Sequence, residues 1–158
     1  MHLYNSKTNF YGGTGLVGDQ IALGTGLGFA LKYQNKKNNV SIVLYGDGAS
    51  NQGQLYESVN MAFLGKWPVL FVCENNKYAL GTPVERHSAG GNDFEKRLTW
   101  CPGVKFVADD VFETKEVASW AKNYATQNGP LFVNAETYRF HGHGMADSGI
   151  TYRTREEV

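Results

Sequence analysis

The chain has 158 residues, 42% of them hydrophobic and 13% aromatic, which is enough apolar material for one domain with a core of its own. Its 15 basic residues balance 15 acidic ones, and no basic tract stands out, which argues against nucleic acid or a membrane surface as the main partner. No apolar run approaches the roughly 18 residues of a membrane span, no secretory or transit segment is read at Met1, and Cys73 and Cys101 lack paired-ligand spacing and fit a reducing compartment.

In chain order, the first stretch is aromatic and glycine-rich, Asn9-Phe-Tyr-Gly-Gly-Thr-Gly-Leu-Val-Gly18. Gly13-Thr-Gly15-Leu-Val-Gly18 fits the dinucleotide pattern G-x-G-x-x-G, but no strand precedes it and no acidic residue follows at about 20 positions, so that reading is rejected and a glycine-rich connection remains. Asp19 to Tyr33 reads as a helix. Gly24, Gly26, Gly28 and Ala30 weaken its propensity and mark a tightly packed face, within the domain or at a subunit interface. Gln34 to Asn39 is a polar turn. Val40 to Tyr45 and Val69 to Cys73 are apolar runs of strand length, and the helical spacing of Leu55, Tyr56, Val59, Ala62 and Phe63 predicts a core-facing helix from Gln52 to Gly65 between them.

Tyr78 to Pro83 reads as a connecting loop. Arg86 to Pro102 is loop-like with a short helical stretch at Phe94 to Leu98, and His87 reads as a solvated loop histidine. Val104 to Val107 is a third strand. Asp110 with Glu113 gives a start like a capping box. Val117, Trp120, Ala121, Tyr124 and Ala125 form one apolar face of the helix that follows, and Gly129-Pro130 stops it. Leu131 to Thr137 is the fourth strand. The alternation predicts an α/β fold, a parallel sheet flanked by helices, without internal repeat or linker.

Two turns of this frame carry chemistry. Gly46-Asp47-Gly48 and Asn75-Asn76 sit at the carboxyl ends of successive parallel strands, where open sheets bind ligands. Asp47 offers a hard anionic oxygen and Asn76 a neutral amide oxygen, a donor set that suits Mg²⁺ and leaves positions for water and phosphate oxygens. Glycine at 46 and 48 lets backbone approach a phosphate, and the amides of Gly48 and Ala49 open the next helix, where anions are favoured. Either motif alone reads as a turn; together they imply a Mg²⁺-bound diphosphate. Arg139-Phe-His-Gly-His143 follows the last strand on the same edge. A guanidinium there grips phosphate and an imidazole donates or shuttles protons. A zinc pair at His141 and His143 is the weaker reading, for want of a third ligand, and a solvated loop remains open for His141.

The words Tyr45-Gly-Asp-Gly-Ala-Ser-Asn-Gln-Gly-Gln54, Cys73-Glu-Asn-Asn-Lys-Tyr78 and Tyr138-Arg-Phe-His-Gly-His143 resemble the alpha subunits of pyruvate dehydrogenase, the thiamine diphosphate-dependent first component of its complex. The likeness runs from Asn9 to Val158. It implies a thiamine diphosphate-binding fold, oxidative decarboxylation of pyruvate, and acetyl transfer to a lipoyl group. It further implies Mg²⁺ on Asp47, Asn76 and the carbonyl of Tyr78, with the aminopyrimidine held by backbone of Gly15 and Val17. Gly48, Ala49 and Arg139 would serve the diphosphate, and His143 the active-site channel and the reductive acylation. The expected partners are a beta subunit, in a heterotetramer of two alpha and two beta chains, and the lipoyl domain of the transacetylase. The glutamate that activates the aminopyrimidine belongs to the beta subunit.

By the same resemblance the compartment is the mitochondrial matrix, or the cytoplasm for a bacterial source. Residues 1–158 read as a thiamine diphosphate-binding domain truncated at both ends relative to the family, and the isolated chain is expected to be inactive. A branched-chain 2-oxo acid or acetoin dehydrogenase subunit, or a non-catalytic truncated paralogue, are the alternatives. One departure concerns regulation: Gly144 stands where many animal subunits carry an inhibitory phosphorylation serine, Thr151 matches a second regulated serine, and Ser148 replaces a usual proline.

Overall fold

The structure is a computed structural model that describes residues 2–154 and 156. Met1 and Val158, the ends of the expected single domain, lie outside the described residues. In chain order the elements are α1 (Asp19–Tyr33), β1 (Ser41–Gly46), α2 (Gly53–Gly65), β2 (Val69–Asn75), β3 (Tyr78–Ala79), β4 (Thr82–Pro83), α3 (Val84–His87), β5 (Gly103–Val107), α4 (Val111–Asn128) and β6 (Leu131–Glu136).

The four expected strands form one parallel sheet in the order β1-β2-β6-β5. Side chains alternate between its faces. Val43, Tyr45, Phe71, Cys73 and Phe132 meet Ile21, Leu55 and Val59 on the side of α1 and α2. Leu70, Val133 and Ala135 meet Ala121 and Ala125 of α4 on the other. The two helical layers bury the centre of the sheet on both faces, as parallel sheets require.

Two of the small residues of α1, Gly24 and Gly28, serve packing within the domain. A Cβ at Gly24 would lie 2.2 Å from Val43 Cγ2, and one at Gly28 would lie 2.3 Å from Val69 Cγ2, so both glycines let the helix backbone sit directly on β1 and β2. Gly26 faces open space. On α2, Leu55, Val59 and Ala62 are buried, but Tyr56 and Phe63 stand on an exposed flank, where Phe63 meets Trp100 edge-on instead of joining the core.

Helix α4 starts as its sequence predicts. Asp110 Oδ1 accepts from the amides of Phe112 (2.8 Å) and Glu113 (3.1 Å). The reciprocal half of a capping box is absent, since the Asp110 N–H goes to the Val107 carbonyl at 3.4 Å. Gly129 ends the helix at φ 106°, a conformation that favours glycine. Trp120 is 49% exposed and lies at the margin of the helix's apolar face.

Two segments read as loops carry short elements. Tyr78 to Pro83 folds into the hairpin β3–β4, with Leu80 in the left-handed region, and α3 follows at once. The expected turn near Phe94 is a 3-10 turn over Phe94–Lys96, pinned by buried Phe94 and Leu98. Among the described residues no helix is long and apolar enough to cross a membrane.

Candidate metal and diphosphate site

The carboxyl ends of β1, β2 and β6 converge on one edge, as the parallel register dictates: Gly46 pairs with Glu74 and Asn75 with Glu136. Asp47 leaves β1 at this edge and is 1% exposed. A buried carboxylate demands a cation or strong donors. No lysine or arginine among the described residues makes an ion pair with it; its one charged-type partner is His87, whose Nε2 lies 3.1 Å from Oδ2. Oδ1 takes no hydrogen bond among the described residues.

His87 was expected in solvent. Its side chain is only 11% exposed, because α3 follows the β3–β4 hairpin directly and turns it back onto β1's turn. The contacts fix its tautomer. Arg97 Nη1 donates to Asn51 Oδ1 at 3.0 Å, which leaves Asn51 Nδ2 facing His87 Nδ1 at 3.1 Å. An amide nitrogen only donates, so Nδ1 accepts and Nε2 carries the hydrogen that goes to Asp47. Ser88 Oγ, 2.7 Å from Nδ1, completes the support. No sequence signal marked His87, since its partner lies 40 positions away on another element.

Asp47's turn abuts the hairpin that follows the second motif turn. A Cβ on Gly48 would sit 2.8 Å from Ala79 Cβ, so glycine at 48 is what lets the hairpin press onto Asp47's turn. Gly48 itself has φ −61°, which any residue adopts; its role is close approach. Gly46 faces open space. Gly48 and Ala49 do not open a long helix: a one-turn 3-10 segment, Ala49–Asn51, intervenes before α2 begins at Gly53. Any anion affinity here therefore rests on the two amides themselves, not on the dipole of α2. Ser50 N–H returns to Asp47 O (3.2 Å) and Asn51 N–H to Gly48 O (3.2 Å), whereas the amides of Gly48 and Ala49 donate to nothing among the described residues.

Across the contact, Asn76 Oδ1 accepts the Tyr78 amide at 3.2 Å, closing a turn in which Lys77 holds φ 69°. Arg139 reaches from the end of β6 to this hairpin. Its Nη1 donates to the Tyr78 carbonyl (3.2 Å) and its Nη2 to the Leu80 carbonyl (2.7 Å) and the Tyr152 hydroxyl (2.7 Å). Its buried Nε–H has no acceptor among the described residues. Val17 is tied to this edge through Gln52, whose Nε2 donates to the Val17 carbonyl at 3.0 Å, whereas Gly15 makes no hydrogen bond among the described residues. His143 stays apart. Its side chain is exposed, and its backbone N–H binds Asp147 Oδ2 at 2.8 Å. Asp147 also holds Tyr152 and the amide of Gly149, and the Tyr152 hydroxyl first, then these amides, pull its carboxyl down to about 2. Burial pushes the Cys73 thiol up to about 12, so it is inert beneath the site.

A hard metal with a diphosphate fits these residues. Among the described residues, Asp47 is a buried carboxylate without a lysine or arginine partner, two amides at the next positions are undonated, and one N–H of Arg139 is left over. Among the described residues no three His, Cys, Asp or Glu side chains group to hold a metal, so amide and carbonyl oxygens must complete any set with Asp47.

A family model described as "Dehydrogenase E1 component" matches residues 1–158. The chain belongs to the dehydrogenase E1 component family. This E1 chain is 52% identical, over its whole length, to the pyruvate dehydrogenase E1 component subunit alpha of Dictyostelium discoideum, covering 41% of that protein. It is 48% identical to the corresponding subunits of Solanum tuberosum and Homo sapiens, again over all of this chain and 40% of each. The E1 chain thus spans about two fifths of the length of these curated relatives.

Proposed function

We propose that these residues form the metal and diphosphate half of a pyruvate dehydrogenase E1 alpha subunit in a mitochondrial matrix. The observation that carries this reading is the abutment of Asp47's turn and the β3–β4 hairpin that follows Asn76, with a buried carboxylate that has no lysine or arginine partner among the described residues. Asp47, Asn76 and the carbonyl of Tyr78 would hold Mg²⁺. The amides of Gly48 and Ala49 and the remaining donor of Arg139 would take diphosphate oxygens, and backbone of Gly15 and Val17 the aminopyrimidine. Thiamine diphosphate, when bound, supplies the carbanion stabilisation that decarboxylation of a 2-oxo acid needs.

The chain's own work is binding and orientation. His87 donates to Asp47 Oδ2 and so holds the carboxylate with Oδ1 left for the metal. Arg139 ties the carbonyls of Tyr78 and Leu80 to the end of β6, so the hairpin cannot drift from the sheet. Exposed His143 would stand in the channel and donate to the acyl acceptor, a lipoyl group. The partners in this reading are a beta subunit, which would bring the carboxylate for the aminopyrimidine, and the lipoyl domain of the transacetylase.

The test is decarboxylation with an artificial electron acceptor by the full-length chain, alone and with a beta subunit. Pyruvate turnover that requires both chains, Mg²⁺ and thiamine diphosphate is the expected result. Faster turnover of 2-oxoisovalerate or acetoin would overturn the substrate, and no turnover with any of them would overturn the catalytic reading.

A further inference from the structure

Strand β6 runs Leu131, Phe132, Val133, Asn134, Ala135, all buried, and Asn134 is a polar interruption at 0% exposure. A buried amide in a central strand is costly unless every polar atom is used. Here they are. Asn134 Oδ1 accepts from Asn75 Nδ2 at 3.1 Å, and Asn134 Nδ2 donates to the Asn92 carbonyl (2.8 Å) and to Glu95 Oε2 (2.7 Å). Asn75, also 0% exposed, is equally committed. Its second Nδ2 hydrogen goes to Asn92 Oδ1 (3.1 Å), and its Oδ1 accepts the Lys77 amide at 3.2 Å.

The Lys77 amide belongs to the turn that carries Asn76 and the Tyr78 carbonyl. A chain of bonds therefore runs from Glu95 and Asn92 through Asn134 and Asn75 into the backbone of that turn. Asn75 and Asn134 lie on strands whose neighbouring Phe132 and Cys73 join the apolar core. The amides specify where the turn sits, which apolar contacts alone would not.

We propose that Asn134 is a positioning residue for the metal turn: it holds Asn75, and through it the Asn76–Tyr78 backbone, at a fixed place against β6. This rests on the proposed role of Asn76 and Tyr78 as metal ligands. Outer partners that orient ligands typically carry roughly 10–100-fold in metal affinity. Asn134 touches neither metal nor substrate in this account and acts only through Asn75.

The test uses the full-length chain assembled with its beta subunit, as wild type, Asn134→Leu and Val133→Ala. The last thins the same strand on its opposite face and serves as the packing control. The first readout is hydrogen exchange of the Lys77 and Tyr78 amides without metal or cofactor, which N134L accelerates and V133A does not. The second is the Mg²⁺ concentration for half-maximal thiamine diphosphate binding, which N134L raises by roughly 10–100-fold. Asn134→Ala, which removes the same bonds with a smaller side chain, shifts both in the same direction and serves if N134L fails to assemble.

Wild-type exchange at Lys77 and Tyr78 in N134L, with lowered thermal stability alone, would overturn the proposal and leave Asn134 as packing. If wild-type protein shows no Mg²⁺-dependent cofactor binding, the proposed function fails, and the exchange readout still decides this inference.

Discussion

Gly48→Ala isolates the contact between Asp47's turn and the β3–β4 hairpin. The backbone at 48 is right-handed helical, φ −61° and ψ −43°, so alanine is not strained there and gains about 0.5–1 kcal/mol from a less floppy unfolded chain. The cost lies in space. The new Cβ would meet Ala79 Cβ at 2.8 Å, and carbon pairs rest at about 3.5–4.0 Å, so the hairpin must retreat by about 0.7–1.2 Å. Overpacking of this kind costs about 1–3 kcal/mol, which gives a net destabilisation of about 0–2.5 kcal/mol. Tyr78 moves with the hairpin, and a displacement of about 1 Å at a binding site is felt as roughly 100-fold in function. A roughly 100-fold loss corresponds to about 2.7 kcal/mol, so function should suffer at least as much as stability. The assay is a double-mutant cycle with Ala79→Gly, which removes the opposing Cβ, read by thermal unfolding and by Mg²⁺-dependent cofactor affinity. Wild-type cofactor affinity in G48A, or a double variant no better than G48A, would refute the reasoning.

Gly28→Ala should destabilise by about 1–3 kcal/mol, because its Cβ falls 2.3 Å from Val69 Cγ2 in a rigid core; thermal or urea unfolding checks this, and unchanged stability would contradict the packing of α1 on β2. The loop after β6 should be acid-sensitive. Asp147 is held at about 2 against an ordinary 3.8, so its contribution is complete above about pH 4 and is lost as pH falls through about 2. Tyrosine fluorescence should show a local transition in that window that Asp147→Asn abolishes, because an amide does not titrate there, and an identical acid profile for both proteins would count against the Asp147–Tyr152 bond. The kinase of this enzyme family should leave the position after His143 unmodified, as Gly144 has no hydroxyl. Any phosphate should fall on the exposed Ser148 or Thr151, as mass spectrometry would show, and ATP-dependent inactivation with neither residue modified would refute this.

The sheet was legible because periodicity and turn chemistry agree along the chain. Val40 to Tyr45 and Leu131 to Thr137 have strand length, and Asp110 and Gly129-Pro130 bound α4 unambiguously. The shared edge of the two motif turns was legible because both motif words fall at strand ends, which parallel topology brings together. His87 and Asn134 were not, for different reasons. His87 gains its meaning only from the hairpin that turns α3 toward Asp47, and no local pattern encodes that turn. Asn134 was visible as a polar residue in an apolar run, yet its partners Asn75, Asn92 and Glu95 lie on separate segments. Arg139 was placed at the right edge, but its hold on the carbonyls of Tyr78 and Leu80 depends on hairpin backbone, which residue identity does not show.

The central claim is that Asp47 anchors a metal-bound diphosphate. Its most direct test is calorimetric titration of thiamine diphosphate, with and without Mg²⁺, into the full-length chain assembled with its beta subunit, as wild type and as Asp47→Asn. The variant keeps the shape of the side chain and removes its charge, the single anion of the proposed donor set. The account predicts Mg²⁺-dependent binding in the wild type and none in D47N at the same concentrations. Equal cofactor affinity in the two proteins, in the presence of Mg²⁺, would contradict it.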